Sequence, residues 1–298
     1  MFAILNLLLT ISRGFEPIPL ESQINALVAD HKGTVAVAVK HLGTGETFIR
    51  KPDEVMPTAS LIKLAVMAEV YFQAKEGKVK VDEMLTLKKD DMVQGSGILT
   101  EHFSPGASFS LRDAVRLMVV YSDNTATNLV LDKAGIKSVN ERMAGLGLKE
   151  TRINAKVFKG STTSVDPERT KKFGLGSSTA TEMLKLLEML HKGELVSADA
   201  SKAMIEHMKK CDDKDKFPRF LPKGVTIAHK TGSVSDARTD AGILYFKEGP
   251  IALVVLTSQN EDKTWTPDNA GNKLCADIAR AVVEHYQKSA STAGPPKK

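Results

Sequence analysis

The chain has 298 residues, 42% of them hydrophobic, and a formal net charge of +5 at pH 7. This length and composition suffice for one large domain, or two closely packed ones, whose core needs no disulfide framework. The lysines and glutamates are scattered rather than gathered into a basic block. The composition therefore argues against nucleic-acid binding and mildly favours a small anionic ligand.

The two chain ends differ in character from the rest. The sequence begins MFAILNLLLTI, an apolar run about as long as the core of a signal peptide and too short to span a membrane. A positive segment before it and a clear small-x-small cleavage site after it are both missing. We expect residues 1–18 to be an export signal or anchor, which predicts a periplasmic or extracellular protein, with an N-terminal packing segment as the alternative. Residues 289–298, SASTAGPPKK, have the composition of a disordered tail.

Cys211 and Cys275 are the only cysteines. This count fits an exported protein with one disulfide or none, and the sequence leaves both open.

The predicted elements change in kind along the chain. The spacing of Ile24, Leu27 and Val28 predicts a helix, and TVAVAVKHLGTGETFIR predicts two strands around the turn GTG. From residue 59 to about 208 the pattern is almost wholly helical, most clearly in LIKLAVMAEVYFQA, LRDAVRLMVVY, ATNLVLDKAG, TATEMLKLLEMLHKG and SADASKAMIEHMKK. Strands return in VTIAHKTGS, DAGILYF and IALVVLTSQ, before a last amphipathic helix, NAGNKLCADIARAVVEHYQ.

This order of elements predicts an α/β (α+β) fold in which both chain ends build one antiparallel sheet flanked by helices. The predicted sheet domain comprises residues 19–58 and 209–288, and an all-helical domain, residues 59–208, is inserted in it. We find no internal repeat and no low-complexity linker.

Ser60 begins a helix that is apolar nearly all round, and Lys63 follows one turn later on the same face. Burial disfavours a charged ammonium group, so the pKa of this lysine would be lowered and its neutral amine could accept the proton of a serine hydroxyl. Free backbone N–H groups at the helix start would favour negative charge developing at Ser60. The alternative is a helix cap beside a lysine whose ammonium group reaches water.

Two further polar stretches carry candidate site residues. In YSDNTATN, residues 122–124 lie between two helices, where serine, aspartate and asparagine are also common caps. In HKTGS, Lys230 and Thr231 occupy a predicted strand, and Gly232 would allow another backbone or a substrate to approach it closely. Taken singly, each stretch has a structural explanation.

Taken together, the three stretches point to a family. Ser-x-x-Lys, then Ser-Asp-Asn, then Lys-Thr-Gly is the motif set of class A β-lactamases and penicillin-binding proteins. Here the motifs begin at Ser60, Ser122 and Lys230, within a matching layout of strands and helical insert over roughly residues 20–287. The chain therefore resembles the class A β-lactamase family, and its Ser-Asp-Asn motif distinguishes it from the other serine β-lactamase classes.

The resemblance implies a role for each matched residue. Ser60 would be the nucleophile that forms an acyl-enzyme, and Lys63 the base that activates it. Ser122 would relay a proton to the leaving nitrogen, while Asn124 would orient Lys63 and the side-chain amide of the substrate. Lys230 would add a positive field that keeps Lys63 neutral.

The resemblance also implies the substrate contacts. Thr231 and the glycine after it, together with Lys230, would receive the substrate carboxylate. The backbone N–H groups of Ser60 and Ser233 would form the oxyanion hole. Arg238, in SVSDARTD, is a candidate second contact for the carboxylate, with a charge at the strand edge as the alternative.

The chain departs from the family in the Ω-loop. There class A β-lactamases carry Glu-x-x-Leu-Asn, whose glutamate and asparagine hold the water that cleaves the acyl-enzyme. The corresponding stretch, from Arg152 to the helix near Thr179, has no such motif. Alignment from Arg152 puts Asn154 in place of the glutamate and Phe158 in place of the asparagine. Glu168 is the only glutamate in this stretch and could fold back to serve as the base.

This departure leaves several functions open. Acylation needs only the motif residues, whereas hydrolysis of the acyl-enzyme also needs a positioned water and a base, so the acyl-enzyme should persist. The first hypothesis is a serine hydrolase that opens the β-lactam amide with slow deacylation. The second is a penicillin-sensitive D,D-peptidase acting on D-Ala-D-Ala peptides. A non-catalytic wall-binding or sensing domain is disfavoured, because a pure binder needs no pair of nucleophile and base.

Other chemistries have little support. The seven histidines include no pair spaced for zinc, and no cofactor, metal or nucleic-acid partner is implied. The GSG run at Gly95–Gly97 lacks the strand and third glycine of a dinucleotide loop, and we expect it to form a turn beside the pocket. We expect a monomer that binds a small β-lactam or peptide substrate.

Overall fold

The computed structural model describes residues 18–292. The strands in this part of the chain are β1 (Thr34–His41), β2 (Thr47–Arg50), β3 (Met56–Pro57), β4 (Met84–Thr86), β5 (Ser108–Ser110), β6 (Arg152–Ile153), β7 (Gly176–Ser178), β8 (Thr226–Val234), β9 (Ala237–Phe246) and β10 (Gly249–Ser258). The α-helices are α1 (Leu20–Ala29), α2 (Lys63–Lys75), α3 (Leu99–His102), α4 (Leu111–Val120), α5 (Asn124–Ala134), α6 (Ile136–Gly145), α7 (Gly160–Thr163), α8 (Pro167–Phe173), α9 (Ala180–His191), α10 (Ala198–Met208) and α11 (Ala270–Thr292). Short 3₁₀ helices span Ala59–Ile62, Lys89–Asp91 and Phe217–Phe220.

The main sheet has five antiparallel strands in the order β2-β1-β10-β9-β8. Its first two strands precede the long helical region and its last three follow it, so both ends of the chain build the sheet. The predicted antiparallel sheet with a largely helical insert is confirmed.

Both faces of this sheet are buried, which explains the continuous apolar runs of its strands. In β1, Val35, Val37 and Val39 join the cluster covered by α1 and α11. The alternate residues Ala36 and Ala38 face the second, larger cluster, which includes α2, α4, α5 and α9. Each face of the strand thus contributes to a different core.

Helix α2 is central to the helical region, as its all-round apolar sequence predicts. It contacts α4, α5, α6 and α10, and its side chains are buried from Lys63 to Val70. A helix surrounded in this way carries its polar side chains into the protein interior. Lys63 is consequently held in a fixed environment.

Two predictions need correction. The insert is not all helical, because β3, β7 and β6 form a small sheet and β4 pairs with β5; strands of two or three residues show no period-2 pattern. Helix α11 continues to Thr292, so the predicted tail is wrong for residues 289–292, where serine, alanine and threonine extend the helix. The rest of that tail, and residues 1–17 of the predicted export signal, lie outside the described residues.

Cys211 and Cys275 are both buried and both free, so no disulfide links them. Within residues 18–292, no helix has the length and apolar character needed to cross a membrane.

Candidate active site

The three motif stretches meet at one cavity of about 680 Å³. The 3₁₀ helix before α2 brings Ser60 to it, the turn between α4 and α5 brings Ser122 and Asn124, and β8 brings Lys230. The same strand adds Thr231, Gly232 and Ser233 to the wall. The structure therefore gathers the residues of the three motifs, although they lie far apart along the chain.

The turn that carries Ser60 is pressed against β8. A Cβ atom at Gly232 would lie 2.3 Å from the Thr58 carbonyl oxygen and 2.9 Å from the Leu61 backbone nitrogen. No side chain fits there, so the expected close approach of another backbone at this glycine is present. Ala59, just before the serine, has a φ of 47°, a left-handed conformation that costs energy in a non-glycine residue.

Lys63 has no exposed surface and a defined set of polar neighbours. Its Nζ donates to the Ser122 carbonyl oxygen at 2.7 Å and to Asn124 Oδ1 at 3.0 Å. The Ser122 Oγ lies 3.2 Å from the same nitrogen. A neutral amine has two N–H donors and one lone pair. The two carbonyl-type acceptors use both donors, and the lone pair is left for a hydroxyl.

Electrostatics also favour the neutral amine. Burial, and next the positive charge of Lys230, lower the pKa of Lys63 well below the ordinary lysine value, and the Asp123 carboxylate opposes this only in part. Burial lowers the pKa of Lys230 as well, but the nearby carboxylates of Asp213 and Asp240 favour its charged form. Of the two lysines, Lys63 therefore releases its proton more readily.

Ser122 links the two lysines. Lys230 Nζ donates to Ser122 Oγ at 3.0 Å and to the Thr231 carbonyl oxygen at 2.8 Å. The Ser122 hydroxyl can then donate its own proton to the Lys63 lone pair. Ser122 has a φ of 54°, so a strained backbone holds it between the two amines. The arrangement forms a proton path from Lys230 through Ser122 to Lys63.

The other polar residues of the Ser-Asp-Asn stretch hold the turn in place. Asp123 caps α5 by accepting from the Ala126 backbone nitrogen at 2.7 Å, and it also accepts from Ile98 and Leu99. Asn124 Nδ2 donates to the Gln94 carbonyl oxygen, which directs its Oδ1 towards Lys63. As expected, the GSG run lies beside the pocket, where Gly95 lines the cavity.

A second layer of charge lies behind β8. His229 and Asp240 are both buried, and His229 Nδ1 lies 3.0 Å from Asp240 Oδ1. Burial opposes protonation, but Asp240 and the neighbouring Cys211 raise the pKa of His229 to about 10. Asp213 forms an ion pair with Lys216 at 2.7 Å, which holds the pKa of Asp213 well below its usual range although burial opposes this. Neither pair was singled out by the sequence. His229 and Asp240 lie on the neighbouring strands β8 and β9, and Asp213 and Lys216, three residues apart, lie in an irregular segment without a helical or strand pattern.

The Ω-loop supplies no carboxylate to the cavity. Between residues 152 and 178, all of which the structure describes, the lining residues are Ala155, Lys156, Val157, Phe158, Gly160, Thr170, Gly174 and Leu175. Glu168 is exposed in the first turn of α8 and does not line the cavity, so the expectation that it folds back is wrong. Its helix begins at Pro167, capped by Asp166, and this cap fixes the glutamate away from the site.

Asn154 is also misplaced by the sequence alignment. It is buried, and its Nδ2 donates to the Gly174 carbonyl oxygen at 3.0 Å, so it ties the two ends of the loop together.

The residue that the sequence missed is Asn128 in α5. Its side chain bonds both the backbone nitrogen of Val157, at 2.8 Å, and the carbonyl oxygen of Val157, at 3.0 Å. The apolar side chain of Val157 is thereby held in the cavity wall.

Arg238 neither lines the cavity nor lies exposed at a strand edge, so both interpretations of it were wrong. It is buried, and its guanidinium donates to the carbonyl oxygens of Ala237 at 2.9 Å, Thr264 at 2.6 Å and Val234. The same group lies 4.8 Å from the ring centre of Trp265, which does line the cavity. A neighbouring helix and loop cover this position, which the strand pattern alone could not show.

Metal ligands are not clustered in the described part of the chain. Residues 18–292 contain no group of three or more histidine, cysteine, aspartate or glutamate side chains placed to hold a metal ion.

Comparison with known proteins gives a consistent family. A model of the beta-lactamase enzyme family matches residues 19–286. A β-lactamase of Bacillus licheniformis is 28% identical over 246 residues, which cover 81% of this chain and 76% of that protein.

Solved structures agree with this match. The β-lactamase of Sphaerobacter thermophilus is 28% identical and superposes with a TM-score of 0.78, covering 93% of this chain and 98% of that one. The penicillin-binding protein PBP-A is 26% identical with a TM-score of 0.78, covering 90% of this chain and 96% of that one. A mutant of PBP-A, with a TM-score of 0.77, is an acyl-enzyme complex with penicillin G.

The contact at Gly232 leads to a stability prediction. Gly232→Ala should lower the free energy of unfolding by about 1–3 kcal/mol, because the added methyl meets backbone atoms that cannot turn away. Gly145→Ala is the matched control, since a Cβ there meets nothing within 4 Å, and it should leave stability unchanged or slightly raised. Urea unfolding of the two variants measures the difference; equal midpoints would show that β8 and the Ser60 turn are not in tight contact.

Proposed function

Because the chain belongs to the beta-lactamase enzyme family, we propose that it is a serine hydrolase that opens the β-lactam amide through an ester on Ser60. The single observation that carries this proposal is the environment of Lys63, whose two N–H donors are used and whose lone pair faces the Ser122 hydroxyl. That arrangement supports catalysis rather than binding alone, because a binding site has no use for a buried neutral amine.

The first step is attack by Ser60. Its hydroxyl lies in the cavity and has no hydrogen-bond partner within residues 18–292, so it is available to a substrate. As the oxygen attacks the carbonyl carbon, Lys63, one helical turn later, takes the proton. The oxyanion would be received by backbone N–H groups of Ser60 and Ser233, which both lie at the cavity wall.

The second step is departure of the amide nitrogen. When the carbon–nitrogen bond breaks, the nitrogen needs a proton, and Ser122 is the hydroxyl bonded to both lysines. Ser122 would give its proton to the nitrogen and recover one from Lys63, which has just taken the proton of Ser60. The charge of Lys230, with the Thr231 hydroxyl beside it, would hold the substrate carboxylate.

The third step, hydrolysis of the ester, has little support from the cavity. The Ω-loop side of the wall presents the apolar Val157 and Phe158 rather than a carboxylate that could position and deprotonate water. General-base assistance of this kind contributes about 10²–10⁴-fold to a rate. We therefore expect an ester that forms readily and is cleaved slowly.

The same observation favours a second candidate function, a D,D-peptidase that acts on D-Ala-D-Ala peptides and is inhibited by penicillins. Such an enzyme needs the groups that form the ester on its serine. It does not need a dedicated base to hydrolyse a penicilloyl ester. The likeness to PBP-A is consistent with this candidate. Export, expected from the apolar run at the N-terminus, would place either activity outside the cytoplasm.

Mixing the pure protein with benzylpenicillin tests the acylation step. We expect ring opening, followed by absorbance, to stop near one equivalent, and intact mass to show one long-lived adduct. Ser60→Ala should abolish both signals, because no ester can form. Ser235→Ala is the matched control, since Ser235 also lines the cavity but has no place in the mechanism. An adduct that persists in Ser60→Ala would contradict the proposal.

Installing a base tests the account of slow hydrolysis. Val157→Glu places a carboxylate on a backbone fixed by Asn128, inside the cavity wall. We expect the half-life of the adduct to shorten by at least about 10-fold, since even a poorly aligned base assists. Glu168→Gln, which alters the exposed glutamate of α8, should leave the half-life unchanged. A strong effect of Glu168→Gln would mean that the loop rearranges around the ester.

A further inference from the structure

Three buried side chains, Cys211, His229 and Asp240, form a cluster beside the cavity, and the proposed mechanism does not use its thiol. We propose that this cluster is a second reactive centre, in which a small hydroperoxide oxidises the Cys211 sulfur and so slows acylation of Ser60. The reactivity of the thiol is independent of the proposed function. Its effect on acylation rests on that function.

The imidazole of His229 is fixed by a carboxylate on one side. His229 Nδ1 lies 3.0 Å from one oxygen of Asp240 and 3.1 Å from the other. The Phe217 backbone nitrogen donates to the same carboxylate at 3.0 Å, so the carboxylate is itself held in place. A histidine bonded in this way has one ring orientation and presents its second nitrogen in a set direction.

The second ring nitrogen lacks a partner. His229 is 1% exposed, and its Nε2 is buried without a hydrogen-bond partner in the described part of the chain. A buried N–H group without an acceptor is costly, and such groups in folded proteins often have a chemical role. Cys211 neighbours this ring, since the two side chains shift the pKa of each other. An oxygen atom added to the sulfur would give Nε2 the acceptor that it lacks.

Charge makes Cys211 the more reactive of the two cysteines. Burial raises the pKa of its thiol, but the charges of His229 and Lys230 outweigh burial and the opposing charge of Asp240, and the pKa falls below the ordinary value. Cys275, in α11, is also buried, and burial followed by the charge of Asp240 raises its pKa. The thiolate is the form that attacks an electrophile, so we expect reaction at Cys211.

Access also distinguishes the two cysteines. Cys211 lines the cavity with 1% of its surface exposed, whereas Cys275 does not line it. Hydrogen peroxide is little larger than water and can reach such a sulfur, which a bulky reagent cannot. The backbone nitrogen of Asp212 donates to the Val120 carbonyl oxygen at 3.0 Å, two residues before Ser122. The wall that carries the thiol is therefore joined to the turn that carries the proton path.

The oxidation consumes one hydroperoxide and one proton. The thiolate attacks a peroxide oxygen, so that an S–O bond forms as the O–O bond breaks; the sulfur becomes a sulfenic acid and the peroxide is reduced to water or an alcohol. Protonated His229 supplies the proton that the leaving oxygen needs. The Cys211 thiolate favours the protonated form of Lys230, and the neutral sulfenic acid does not. Oxidation should therefore weaken the hold of Lys230 on the substrate carboxylate.

The first measurement compares the two cysteines within the wild-type protein. After exposure to limiting hydrogen peroxide at neutral pH, the protein is unfolded and the remaining thiols are alkylated with iodoacetamide. Peptide mass mapping then gives the free fraction of each cysteine. Cys211 should be lost at least about 10-fold faster than Cys275. Equal rates of loss would overturn the reactive centre.

A substitution of the histidine tests its role. His229→Gln removes the charge beside the thiol and should slow the loss of Cys211 by about 10-fold. His191→Gln, on α9 and away from the cavity, is the control and should leave the loss of Cys211 unchanged. An unchanged rate in folded His229→Gln would contradict the role of the imidazole. The comparison of the two cysteines needs no variant, so it decides the matter even if His229→Gln does not fold.

The second measurement is the rate of adduct formation with benzylpenicillin before and after peroxide treatment. Oxidation should slow it by about 10-fold, because a charge-assisted contact to the carboxylate is weakened, and a thiol reductant should restore it. In Cys211→Ser, peroxide should leave the rate unchanged. An unchanged rate in wild-type protein with oxidised Cys211 would overturn the control of acylation. If untreated protein forms no adduct, the proposed function fails, and the comparison of the two thiols still decides whether Cys211 is reactive.

Discussion

The burial of two lysine amines on either side of one serine hydroxyl is the constraint on which the rest of the site depends. Lys63 and Lys230 have no exposed surface, and like charges in a medium of low dielectric constant cannot both remain protonated without a large cost. Lys230 has carboxylates behind its strand, whereas Lys63 faces amide and carbonyl oxygens. Of the two amines, Lys63 therefore loses its proton more readily. A serine one turn away then has a base, and Ser122 between the amines has both a proton donor and an acceptor.

Under the proposed function, acylation and hydrolysis depend on separate parts of the structure. The groups for acylation lie on α2, the turn before α5 and β8, elements fixed by two hydrophobic cores. The strained residues Ala59 and Ser122 lie at the junction of these elements, where the surrounding packing can support a cost of about 1–3 kcal/mol each. The proposed hydrolysis would depend on the Ω-loop, which Asn128 and Asn154 tie down and which brings no carboxylate to the cavity wall. A chain can thus keep the first reaction and lose efficiency in the second.

The fold could be predicted from the sequence wherever a pattern extends over many residues. The apolar runs of the strands and the long amphipathic helices predicted the sheet and its insert. The three motifs identified Ser60, Ser122 and Lys230 as candidate site residues. The contacts that a side chain makes with segments distant along the chain could not be predicted. Asn154 was assigned from its distance along the loop, but its amide turns inward to Gly174. Arg238 was assigned from its strand, but α11 and the loop carrying Trp265 cover it. In both cases the side chain contacts a segment that is distant along the chain, and the local spacing of residues does not predict that contact.

The central claim is that Lys63 is neutral because it is buried beside Lys230. An NMR titration of lysine side chains labelled with ¹³C at Cε measures this directly. The Lys63 resonance, assigned by its loss in Lys63→Arg, should titrate well below the ordinary lysine pKa of 10.5. In Lys230→Met, which removes the neighbouring charge, the titration should move back towards that value. Titration of Lys63 at the ordinary lysine pKa in the wild-type protein would contradict the account.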